Sequence, residues 1–129
     1  MVSGNLIAPN VIQLGRGHTM QDLERIEVTL KDAKQKVELG HALLRLRKNR
    51  DFKAIISKGY FEQEAIRLVN LKADFSMQSP ENQAFIIRGI DSIGNLRGFF
   101  SKVFQQAQAA EGAIREGEAV REEILAEEA

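Results

Sequence analysis

Between the prolines at positions 9 and 80, apolar residues recur at helical rather than strand-like spacing. Leu23, Ile26, Leu30, Ala33, Val37, Gly40 and Leu44 follow one another at alternating steps of three and four. That average of about 3.5 residues keeps one apolar seam on one side of a helix and suits coiled-coil packing. The hydroxyl of Thr19 can cap the first free backbone N–H groups, and Asp22 completes a box-like pattern. A helix is therefore predicted from Thr19 to about Lys48. Leu39, Leu43 and Leu46 form a second stripe, so its C-terminal half should be covered on two sides.

Two short helices follow in the pattern. Asp51 can cap Phe52–Lys58, and Gly59 can end that helix in a left-handed conformation that a side chain would resist. Tyr60–Lys72 carries Phe61, Ala65, Leu68, Val69 and Leu71, enough for an amphipathic helix, and Asp74–Ser79 reads as a loop. Ser79-Pro80-Glu81 then combines a capping hydroxyl, proline at the first helical position and an acid in the first turn. Helical character continues to about Ala126, through Phe85, Ile86, Ile90, Ile93, Phe100, Val103, Ile114 and Ile124. Glycines 89, 94, 98, 112 and 117 interrupt it, each costing about 1 kcal/mol relative to alanine. They predict either bends or close neighbours. Gly94 and Gly98 share a face and are a candidate contact for another helix.

Residues 1–18 differ from the rest. Gly4, Pro9, Gly15 and Gly17 oppose a helix, yet Leu6, Ile7, Val11, Ile12 and Leu14 are too apolar for a solvated tail. An extended arm that docks on a neighbour, or one that folds back over its own core, accounts for both features. The expected organisation is an arm (1–18), one helical domain (19–126) and a short C-terminal end (127–129). The fold class is all-α, an elongated antiparallel helical hairpin with two short helices at the turn and an extended N-terminal arm.

Charge refines this picture without changing the class. Eighteen basic and eighteen acidic residues cancel, but not locally. From Lys31 to Lys58 nine Lys or Arg face three acids, a net of +6. From Glu111 onward seven Glu face Arg115 and Arg121, a net of −5. Arg45, Arg47, Lys48 and Arg50 form a compact basic patch that could neutralise phosphates, although cations at a helix C-terminus also complement its dipole. The Glu-rich stretch keeps a weak apolar stripe, including Ile114 and Ile124, that could pair with another copy or with a basic surface, or stand as a solvated, partly frayed end.

Catalytic chemistry finds little support. There is no cysteine, which excludes disulfides, thiolate nucleophiles and cysteine-ligated metals. His18 and His41 stand in no metal-binding spacing. Gly15-Arg16-Gly17-His18 lacks the preceding strand, third glycine and Gly-Lys-Ser/Thr sequence of a phosphate loop. No catalytic residue, metal ligand or cofactor is therefore assigned. No apolar run approaches the ~20 residues of a membrane-spanning helix.

From Asn49 to Phe100, the runs NRDFKAIISKGYFEQEAIRLV, SPENQ and IRGIDSIGNLRGFF resemble small uncharacterised proteins encoded among the virion-structure genes of tailed bacteriophages. The stretch carries no catalytic or metal motif, so no functional residue transfers with it. The resemblance implies a helical virion or morphogenesis component that works by assembly with other virion proteins and copies of itself. It would be made in the bacterial host's cytoplasm and incorporated into the particle, around or beside the head–tail junction. The second reading is a small binding factor that contacts nucleic acid or a host protein through the basic helix end.

Overall fold

The computed structural model describes residues 20–128, and every regular element among them is helical. In chain order these are α1 (Met20–Lys48), α2 (Arg50–Phe52), a π-helix (Lys53–Glu64), α3 (Ala65–Ala73), a 3₁₀ turn (Phe75–Met77) and α4 (Pro80–Glu128). The all-α class holds. The arm at 1–18, its apolar residues and the Thr19 cap lie outside the described residues. The chain divides into two compact units, one of residues 20–41 with 103–128 and the other of residues 42–102.

In the first unit α1 and α4 pack closely as an antiparallel hairpin. Ile26 and Leu30 cluster with Ile124, and Ile114 and Val120 pack against them. Further along, Ala33 meets Ala110 and Ala113, with Val37 and Ile114 beside them. Next comes Gly40, where a methyl group would lie 2.5 Å from Cβ of Ala107. Positions rise on α1 as they fall on α4, as antiparallel pairing requires. On α1, Ile26, Leu30, Ala33 and Gly40 of the expected seam are buried and Leu23 and Val37 are half-buried, but Leu44 is exposed and Leu43 is buried in its place. Small residues dominate its middle (Ala33, Gly40, Ala107, Ala110, Ala113, Gly117), which allows the backbones to approach closely. Burial of Ile26, Leu30 and Ile124 contributes about 1.5–3 kcal/mol per side chain. The guanidinium of Arg121 reaches Glu27 at 3.6 Å across the pair.

The second unit has its own core. Leu68, Ile86 and Ile93 are buried, with Tyr60, Phe61, Ala65, Leu71, Met77 and Ile90 packed around them. Gly89 faces Leu68, whose Cδ1 would stand 3.1 Å from a methyl group placed there. The corner between α3 and α4 is fixed by side-chain amides. Nε2 of Gln83 donates to the carbonyls of Lys72 (3.0 Å) and Met77 (2.9 Å), satisfying groups that the end of a helix leaves unpaired. Oγ of Ser79 accepts from the Asn82 N–H at 3.2 Å, and α4 begins at Pro80 as its local sequence requires.

Two expectations for the turn need correction. The helical run does not break at Gly59 into two short helices, because Gly59 lies inside the π-helix. A Cβ at Gly59 would sit 2.9 Å from the Ala54 carbonyl oxygen. The glycine is needed to admit that carbonyl, not to stop the helix. The cap is likewise Asn49 rather than Asp51: Asn49 is extended (φ −66°, ψ 133°), and its side chain accepts from the Phe52 N–H at 2.9 Å. The glycines of α4 do not interrupt it either, and the helix runs unbroken for 49 residues.

Candidate functional site

The reversal at Asn49 creates the most distinctive surface of the second unit. The Asn49 N–H donates to the Leu46 carbonyl at 3.0 Å, closing α1, while the Asn49 carbonyl accepts from the Lys53 N–H at 3.0 Å, opening the next helical run. One residue thus ends one helix and starts another. Cations that lie in sequence at a helix end are gathered around the joint.

Aromatic packing holds the new run in place. The rings of Phe52 and Phe100 stand 6.0 Å apart, and Phe61 meets Phe100 edge-on at 5.9 Å. The Arg97 guanidinium lies 5.5 Å from the Phe61 ring centre, a cation–π contact on the same cluster. These contacts bind the inner side of the run to α4.

On its other side the run lines a surface groove of about 700 Å³ with Arg47, Lys48, Arg50, Lys53 and Lys58. Ala54, Ser57 and Glu62 complete the lining. Five cations therefore face one carboxylate, and their combined field concentrates anions in the groove. The π-helix determines which side chains converge. With an i to i+5 bonding pattern it has between four and five residues per turn, so Lys53, the Ser57–Lys58 pair and Glu62 share a face. At 3.6 residues per turn Lys58 and Glu62 would rotate away from Lys53.

The sequence-predicted residues divide clearly. Arg47, Lys48 and Arg50 line the groove, whereas Arg45 is exposed on α1 outside it. Lys53, Ser57 and Lys58 were missed, because a helix ended by Gly59 at ordinary pitch gave no reason to group them. Gly94 and Gly98 are exposed, with open space where a methyl group would stand. Ile124 is fully buried against Ile26 and Leu30, and Ile114 packs on the same seam. The candidate interface residues Leu6, Ile7, Val11, Ile12 and Leu14 lie outside the described residues.

The other polar features stabilise local turns. Glu64 accepts two hydrogen bonds from Arg67, at 2.8 and 2.7 Å, and this pairing holds its carboxyl below the usual range. Asp74 accepts from the Ser76 hydroxyl at 2.7 Å and its N–H at 2.8 Å, and is lowered for that reason. His41 is exposed on α1. Among the described residues no group of three or more His, Asp or Glu could hold a metal ion, and no helix is long and apolar enough to cross a membrane.

The same unit also leaves large apolar side chains in solvent. Nine of its large hydrophobic side chains are exposed, among them Ile66, Val69, Phe85 and Phe99, and Phe75 reaches 96% exposure. No protein-family model, curated protein sequence or solved structure matches this chain.

Proposed function

We propose that this chain is a non-enzymatic structural subunit of a tailed-phage particle that works by association. The observation that carries the reading is the set of large apolar side chains that residues 42–102 leave exposed, above all the nearly naked ring of Phe75. Nine large exposed apolar side chains in one unit leave a partner several places at which to bury apolar area on binding. The stretch that resembles proteins from virion-structure gene clusters, residues 49–100, falls within this unit.

In this reading the close seam between α1 and α4 serves as a rigid strut. The arm's apolar residues add a second contact to a neighbour. Self-association through the exposed apolar side chains is tested by sedimentation equilibrium of the full chain beside a Phe75→Ser/Phe85→Ser variant. The intact chain is expected to form a defined oligomer, and the variant to dissociate towards monomer while keeping its helical content. Equal association by both would remove these side chains from the account.

A further inference from the structure

We propose that the groove at the Asn49 reversal binds the phosphate backbone of duplex nucleic acid, without reading its sequence. Grooves of about 700 Å³ that hold small molecules are mostly lined by apolar and aromatic side chains. This one is lined by cations on long stems, so its complement is a ligand carrying several negative charges. Arg50, Lys53 and Lys58 arise from three successive turns of one helical run, and Arg47 and Lys48 from the end of α1. Five cations drawn from two helical elements suit a chain of phosphates better than a single anion. The Ser57 hydroxyl adds a neutral donor of the kind that contacts phosphate oxygens.

The groove also lacks what other nucleic-acid contacts need. No aromatic ring is in its lining, and Phe52 and Phe61 are engaged in the core, so unstacked bases find no platform. A duplex presents its phosphates outward with the bases stacked away, which suits a lining of five cations and one carboxylate without aromatic rings. The competing occupant is the Glu-rich end of α4 from a second copy. That helix carries Arg115 and Arg121 among its carboxylates and would bring cations to a cationic groove, whereas a phosphodiester chain brings none. A monomeric chain would have the same groove, so this site stands apart from the assembly reading.

The test is fluorescence anisotropy of the full chain with a labelled 30-base-pair DNA duplex at salt concentrations between about 50 and 200 mM. With all five cations engaged, log affinity should fall against log salt with a slope near −4.5, a loss of about 500-fold over that range. Lys53→Gln and Lys58→Gln should each weaken binding to unrelated duplexes equally and make the slope shallower by about one. Lys53→Arg should restore both affinity and slope, while Arg45→Gln, outside the groove, should leave the slope less affected than either lysine variant. Circular dichroism checks that each variant keeps its helices. Absence of binding at 50 mM salt would overturn the proposal, as would a slope unmoved by the lysine variants. So would lysine variants that lose only salt-sensitive self-association, which would assign the groove to the acidic helix of a neighbour.

Discussion

Replacing Gly40 with alanine probes the closest contact of the hairpin. In an exposed helix the change would stabilise by about 1 kcal/mol, because alanine gives up less backbone freedom on folding. Here the new methyl group would stand 2.5 Å from Cβ of Ala107, more than an ångström inside the usual carbon–carbon separation of about 3.5–4.0 Å. Neither group can rotate away, since both are fixed to helix backbones. The helices must separate, which loosens the neighbouring contacts of Ala33 with Ala110 and Ala113. Overpacking of this kind costs about 1–3 kcal/mol, and the absence of a flexible neighbour puts Gly40 at the upper end. After the propensity gain, a net loss near 2 kcal/mol remains, or a fall of about 8 °C in melting temperature for a domain of this size. Thermal denaturation followed by circular dichroism measures it. Combining Gly40→Ala with Ala107→Gly moves the methyl group across the seam and should recover most of the loss, a coupling that a double-mutant cycle isolates. An unchanged or raised melting temperature for Gly40→Ala, or no recovery in the double variant, would refute the close seam.

Other perturbations follow from the same contacts. Leu30→Ala removes a side chain that is 2% exposed and should destabilise by about 2–5 kcal/mol in denaturant unfolding; a loss below 1 kcal/mol would place Leu30 outside the core. Gly59→Ala should destabilise by about 1 kcal/mol or more because of the Ala54 carbonyl, whereas Gly94→Ala, facing open space, should stabilise by about 0.5–1 kcal/mol; opposite signs in thermal melts are the expected result. The carboxyls of Glu64 and Asp74 hold protons less tightly in the folded chain than in the unfolded one. The unfolded state therefore binds more protons as pH falls through their ordinary values, and stability declines until both lowered values are passed. Glu64→Gln/Asp74→Asn should flatten that part of the stability–pH curve, measured by denaturant titration, and an identical curve would contradict the assigned pairings.

Local chemistry and regular periodicity were legible in the sequence. Ile26, Leu30, Ala33 and Gly40 fall on the buried side because their spacing alone places them there. The start of α4 at Pro80 was equally readable, since Ser79, Pro80 and Glu81 act within one turn. Leu43 rather than Leu44 is buried near the end of α1, at 6% against 45% exposure, because the buried row shifts where residues 42–48 join the second unit. No single period contains that shift. The choice of Asn49 over Asp51 as cap was also hidden. Both residue types cap helices, and nothing in the local sequence says which of them turns extended.

The π-helix was the largest omission, and it carried part of the candidate site with it. Periodicity arguments assume about 3.6 residues per turn, so they end a helix at Gly59 where the wider helix continues through it. Three of the five groove cations could be read from the run Arg47-Lys48-Asn49-Arg50. Arg45 could not be set aside from the sequence, because it lies three positions from Lys48 and so on nearly the same helix face. Lys53 and Lys58 join the groove only once the wider pitch is known. Ile124 illustrates the converse: an apolar stripe on a Glu-rich helix invites a partner, and α1 of the same chain is that partner.

The central claim, that the chain is a structural subunit of a phage particle, is tested most directly by quantitative mass spectrometry of particles purified from lysates of cells carrying the gene. The account predicts this chain at a fixed number of copies per particle, unchanged by high-salt washing. It also predicts that Phe75→Ser/Phe85→Ser reduces that number while the protein remains folded in the lysate. Particles that lack the chain, or that carry it in amounts varying between preparations and removed by salt, would contradict the claim.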